Sequence, residues 1–389
     1  MTDLQKSFLS MIRTALWNDE YECEEGVTSA ELFDEACRYE IAGILSTKLD
    51  LFCSDGNAEV RSRWSKKAMI DYMKSFSTLT ILDSLNGILE PQGIRPVILK
   101  GMASSYYYPN AMVRQFGDVD FLVPPEQFKE CLNVLLENGF IKTKDNKRHL
   151  GLYKQQIDYE MHRFFSMNRT KTDKHIDQVI FEGCRNCISR SVEKKNFYAL
   201  PEAENGIALL EHMKHHIRTG VGFRQIIDWV VYANASLDDE FWNDSFSSLV
   251  RECELEKLAK VVTRMSQIYL GLRTEGITWC SDVDDEVCTA LLEFLFSCDN
   301  FGFAKAVEED VHKIDTIVNQ GVVFMLDRRA VEHMPIAKKL VFLRPVAWIY
   351  QIFRWCFSGI RMLVTYRNFV GNLNDIHNTN RKLFTDIGI

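Results

Sequence analysis

The sequence lacks an excess of positive charge, a regular cysteine spacing, a long uncharged apolar run and a low-complexity linker. Each absence narrows the range of functions. Lys and Arg total 46 against 54 Asp and Glu, a formal net charge of −8. Bulk nucleic-acid binding, which calls for a basic face, is therefore not expected. A local basic pocket for a nucleotide stays open. The 11 cysteines are odd in number and run from Cys23 to Cys356 without a pattern. They read as reduced thiols in a reducing compartment. Cys184 and Cys187 form a lone C-x-x-C, a poor zinc site without a second pair. No run reaches the roughly 18 uncharged apolar residues that span a bilayer. The opening MTDLQKSFLSMIRTALW has no charged head, apolar centre or small-residue cleavage site. The cytoplasm is the expected compartment. No internal repeat occurs at a solenoid period.

What is present is enough for two or three domains with real cores: 389 residues, 46% of them hydrophobic. Residues 1–92 read as a helical region, with Thr28-Ser29-Ala30-Glu31 as a capping box that opens a helix to about Leu49. Residues 93–200 read differently. Strands are expected at 95–99, 118–123, 140–143, 149–155 and 157–165, with a short one at 197–200. A helical turn is expected at 101–108, a helix from Pro125 to about Asn138, and another at 173–182. The loop at 142–148 is polar and basic. Residues 201–389 read as helical, in pieces at 202–218, 223–235, 238–250, 253–271, 284–297, 302–313, 319–331 and 336–366, before a polar tail. The expected fold is α+β: a small mixed sheet with helices on one side, flanked by two helical regions.

Three constellations carry chemistry. Asp118 and Asp120 open a strand and share one face, because strand side chains alternate. Two acids aimed at one point call for a cation, and a hard divalent ion with oxygen ligands is the usual solution. An exposed acidic strand end is the other reading. Asp158, Glu160 and His162 likewise share one strand face, either as a solvated surface or as part of a site. If that strand lies beside Asp118, Glu160 becomes a third carboxylate, to ligate metal or to act as a base. His212 and His216 stand four apart on one helix face, next to His215, as do Arg224 and Asp228. That histidine spacing suits zinc but no third ligand follows. Structural histidines, or a polar cluster facing the cleft, are favoured. Arg224 can reach a phosphate or pair with Asp228. Residues 340–366 are rich in aromatics and arginine. They read as core or partner packing, with membrane-surface contact as the weaker alternative.

Several of these residues, in this order, resemble a known group. Leu99-Lys100-Gly101, Tyr108-Pro109, Arg114, the GDVDFLV run at 117–123 and Asp158-x-Glu160-x-His162 are similar to the uncharacterised bacterial nucleotidyltransferase family of the DNA polymerase β-like superfamily. Gly220-x-Gly222-Phe223-Arg224-Gln225-x-x-Asp228 and Pro345-Val346-Ala347-Trp348 extend the resemblance, which covers roughly residues 40 to 350. It implies that Asp118, Asp120 and Glu160 hold two Mg²⁺ ions, with Mn²⁺ as the alternative. It also implies an NTP on Lys100, Gly101, Ser104, Arg114 and Arg224, and an acceptor that is a small molecule, a sugar or a protein. Asp158, His162, His216 and Asp228 are the expected supporting shell. The chain departs from the superfamily pattern at the first turn, where Met102 follows Gly101 in place of Gly or Ser. Lys100 is then the expected phosphate cation. The alternative is a catalytically weak or inactive module that acts through its helical C-terminal half.

Overall fold

The computed structural model describes residues 1–114, 117–166, 170–217, 221–298, 334, 343–352 and 380–389. Met1–Asn300 and Leu383–Ile389 form one compact unit, and Phe301–Lys382 a second. The expected helices at 302–313 and 319–331 lie outside the described residues, as do most of 336–366 and of the polar tail. Within the second unit, residues 344–352 are helical, and Ala347 is buried against Met334, Leu343 and Trp348. No helix among the described residues is long and apolar enough to cross a membrane.

The first unit is built on a seven-stranded mixed sheet in the order β3-β4-β5-β2-β1-β7-β6. The strands are β1 (Val97–Ile98), β2 (Val119–Leu122), β3 (Ile141–Asp145), β4 (His149–Lys154), β5 (Ile157–His162), β6 (Ile188–Val192) and β7 (Lys195–Ala199). β2 runs antiparallel to β1 and parallel to β5, which is antiparallel to β4. Period-two alternation sorts the side chains of the central strands. Val119 and Phe121 of β2, Tyr159 and Met161 of β5 and Leu150 and Leu152 of β4 join one hydrophobic core. That core also takes Leu79, Leu82, Leu85 and Leu89 of the helix Ala58–Leu89, and Cys131 and Leu135 of the helix Phe128–Glu137. Asp120, Glu160 and His162 alternate with these residues and so fall on the opposite face.

Two expectations at the level of elements need correction. The helix that opens at the Thr28–Glu31 capping box ends at Arg38, well short of Leu49. Glu40 takes φ 53°, and Ile41 N–H bonds back to Ala36 O at 2.9 Å. This reversal buries both Tyr39 and Ile41 completely, a gain in apolar burial that outweighs the cost of the left-handed residue. Strand β6 was not expected at all. It pairs with β7 through a tight turn at Glu193-Lys194, whose φ angles are 45° and 61°. Such a turn normally advertises itself with Asn-Gly, and here neither residue is present.

Candidate active site

The site begins at the turn after β1. Lys100 adopts φ 50° and ψ −145° as it enters the short helix Gly101–Ser105, an uncommon conformation for a side chain with a Cβ. Leu99 N–H donates to Asp120 O at 2.9 Å, which stitches the turn to β2. Lys100 Nζ reaches Asp120 Oδ1 at 3.4 Å. Met102 points into the core and Ser104 is buried, its hydroxyl without a hydrogen-bond partner among the described residues.

Parallel pairing then brings the acids together. Asp120 of β2 lies directly opposite Glu160 of β5, so their side chains leave the sheet side by side. His162 Nε2 lies 2.7 Å from Asp120 Oδ1. Burial works against the Asp120 charge, but Lys100 and the His162 bond outweigh it and hold the carboxyl well below its usual range. Glu160 goes the other way. Burial, then the neighbouring Asp120 charge, push it up to about 7. Asp118, just before β2 and exposed, is raised by desolvation and then by Asp120 and Asp158. Two neighbouring carboxylates with separated proton affinities are the electrostatic mark of a functional site.

Two groups join the acids without having been singled out in the sequence. His149 stands opposite His162 in the β4–β5 pairing, with Nε2 3.3 Å from Glu160 Oε1. Arg148 donates to Phe165 O at 2.8 Å, and its charge is felt by Glu160, His149 and His162. Only the basic character of the 142–148 loop hinted at Arg148. His149 had a signal in its strand parity, which faces it to the same side as Gly151 and Tyr153, and across to His162.

The helix Glu202–Ile217 contributes His212 and His216, whose rings are 4.6 Å apart at the centroids. Burial lowers the basicity of both, and the charges of Lys100 and Arg148 lower it further. Among the described residues, these histidines belong to no metal-capable group of three; the one such group is His149, Glu160 and His162.

The two arginines expected on a phosphate are placed otherwise. Arg114 forms a buried fork on Asp228 (Nε–Oδ1 3.1 Å, Nη2–Oδ2 2.5 Å), which also accepts from Tyr108 Oη at 2.8 Å. Arg224 pairs with Glu40 at 2.7 Å, and not with Asp228 as one sequence reading had it. The reason is reach: helix Phe223–Ser236 turns Asp228 inward toward the Tyr108–Arg114 segment. Asp158 is exposed at the start of β5. Cys184 and Cys187 are free thiols.

The comparisons with known proteins come in at this geometry. Among solved structures the chain is similar to the antibiotic-resistance factor ANT(2'')-Ia. Its solution structure matches with 10% identity and a TM-score of 0.34, over 47% of this chain and 96% of that one. Its crystal structure with adenylyl-2''-tobramycin matches with 10% identity and a TM-score of 0.35, over 45% and 98%. An antigenic nucleotidyltransferase-like protein from Paracoccidioides brasiliensis matches with 13% identity and a TM-score of 0.34, over 51% and 96%. No curated protein matches the chain. A family model described as uncharacterised nucleotidyltransferase matches residues 27–271, more than half of the chain. The turn at Lys100, the paired acids of β2 and the third acid of β5 all fall inside that match, and the chain belongs to the uncharacterised nucleotidyltransferase family.

Proposed function

We propose that this protein transfers a nucleoside monophosphate from an NTP to a hydroxyl of a small molecule, sugar or protein, with release of pyrophosphate. The observation that carries the reading is the register of β2 on β5, which sets Asp120 beside Glu160 with Lys100 in contact. The carboxylates of Asp118, Asp120 and Glu160 are hard oxygen donors and fit Mg²⁺, or Mn²⁺ in its place. Held by these residues, such ions would supply activation of the acceptor hydroxyl and stabilisation of the leaving pyrophosphate.

The chain's own groups do the rest. Lys100 and His162 favour the ionised form of Asp120. Glu160 would hold the acceptor-side ion or take the acceptor's hydroxyl proton. The acceptor oxygen then bonds to the α-phosphorus as the bond to the β-phosphate oxygen breaks. Lys100 is the cation at the nucleotide turn, next to Gly101 and Ser104. Arg148 takes the place first given to Arg114 and Arg224, since it is the arginine whose charge the acids feel. Arg114 and Asp228 act as support, holding the Tyr108 segment on the helix behind it. His162 orients Asp120. The helical segments select that acceptor.

Asp118→Asn and Asp120→Asn are expected to lower Mg²⁺-dependent NTP turnover by about 100-fold or more, the scale of losing a group that stabilises transition-state charge. Circular dichroism should show the fold retained. Full turnover in both variants would end this reading. A second reading, a nucleotide-binding module without turnover, draws on Met102, which is buried and puts no hydroxyl at the turn. NTP binding without any labelled product from a cell extract would favour it.

A further inference from the structure

We infer that His149, Glu160 and His162 form a cation site of their own, selective for an imidazole-preferring divalent ion of the Zn²⁺ class over Mg²⁺. The three residues each offer one ligand atom, and these atoms lie within 4.8 Å of one another. They sit on two paired strands, where β4 places His149 directly across from His162. Two imidazoles and one carboxylate with further positions open is the donor set of many catalytic zinc and non-haem iron centres. It is a poor set for Mg²⁺, which prefers oxygen and keeps its waters.

The hydrogen bonds around the site fix how its two imidazoles are held. Asn146 Oδ1 accepts from the backbone N–H of Arg148 and of His149, at 2.8 Å each. The amide nitrogen of Asn146 is therefore the atom 2.9 Å from His149 Nε2, and it donates there. His149 Nε2 is thus an acceptor 3.3 Å from Glu160 Oε1, and an ion bound there takes the lone pair that the Asn146 N–H engages. The other oxygen, Oε2, lies 3.7 Å from His162 Nε2, which is also against Asp120 Oδ1 at 2.7 Å. His162 Nδ1 is 3.4 Å from Phe164 O, a backbone carbonyl of the kind that orients metal-bound imidazoles. A divalent ion among the three meets one ligand atom from each, with His162 Nε2 releasing its proton to bind.

Binding at this site does not depend on the transferase reading, but one consequence does. Glu160 belongs to both donor sets, so occupancy by a Zn²⁺-class ion withdraws it from the carboxylate set and slows transfer.

The test uses the full chain, stripped of metal by chelation and dialysis, without nucleotide. Titration with Co²⁺ should give one equivalent of binding with the visible bands of a nitrogen-ligated, low-coordinate ion. Zn²⁺ should displace it, and excess Mg²⁺ should not. His149→Ala and the bulkier His149→Gln should each weaken Zn²⁺ binding by about 100-fold, the upper end of the cost of disturbing a metal shell. Asp118→Asn, outside the three-residue set, should bind as the wild type does. The inference is overturned if His149→Gln, shown folded by circular dichroism, binds Zn²⁺ as tightly as the wild type. A Co²⁺ spectrum dominated by thiolate charge transfer, or one of an all-oxygen octahedral ion, overturns it equally. Loss of NTP turnover in Asp118→Asn with Zn²⁺ binding intact would support both readings; intact turnover with intact Zn²⁺ binding would sink only the transferase.

Discussion

Single residues in this protein are governed by how much water they lose and which charge replaces it. Asp120 and Glu160 are the same functional group on neighbouring strands, yet Lys100 and His162 favour the charge of one while burial and repulsion oppose the charge of the other. Glu211 shows the burial effect away from the acids. It lies on the helix Glu202–Ile217, is 6% exposed, and its Oε2 has no hydrogen-bond partner among the described residues. Desolvation, only partly offset by Lys214 and Arg148, pushes its carboxyl up to about 7. An acid whose folded value lies above its unfolded value near 4.3 favours the folded state most when protonated. Its contribution is full below about pH 4 and is lost as pH rises through about 7. Glu211→Gln should therefore match the wild type in urea unfolding near pH 4. Near pH 8 it should be more stable, by up to about 3 kcal/mol. An equal difference at both pH values would show that Glu211 ionises freely in the fold.

At the scale of elements, the sheet face and the helix behind it are joined by one buried polar connection. Arg114 follows the turn at Lys100-Gly101, Asp228 sits on the helix Phe223–Ser236, and their side chains are 7% and 5% exposed. Tyr108 completes it. Breaking a buried ion pair strands the surviving charge, so Arg114→Ala is expected to destabilise the fold by about 3–5 kcal/mol. The double variant Arg114→Ala, Asp228→Ala should lose less than the two single losses added, since neither charge is then left alone. Additivity in a denaturation cycle would mean that the pair is not coupled. In the sequence, Arg114 and Arg224 looked alike as phosphate cations. Only the placement of one helix against the Tyr108–Arg114 segment decided that Arg114 takes Asp228 and that Arg224 takes Glu40. The β6–β7 hairpin was illegible for a different reason: Glu193-Lys194 adopts a left-handed turn that its residue types do not announce.

At the scale of the whole molecule, ligand binding and stability are linked. A nucleotide that binds only the folded chain adds about 2.7 kcal/mol at a concentration 100 times its Kd. The intact protein should therefore melt several degrees higher with an NTP and Mg²⁺ together than with either alone. Asp120→Asn should lose the Mg²⁺-dependent part of that rise. Absence of any rise with all four NTPs would count against a nucleotide site at Lys100-Gly101.

The sequence by itself determined what alternation and local chemistry control. Asp158, Glu160 and His162 share one face of β5, because a strand repeats every two residues; Asp118 falls in the bend just before β2, outside that parity. The helix–strand order and the capping boxes are equally local. Tertiary structure decided what depends on which strands become neighbours. The parallel pairing of β2 with β5 set Asp120 against Glu160, and the antiparallel pairing of β4 with β5 brought in His149. Partners 40 residues apart on separate strands leave no periodic trace, because their meeting is set by burial of the opposite, apolar face. The core around Phe121, Tyr159 and Met161 fixes that register, and the register builds the site.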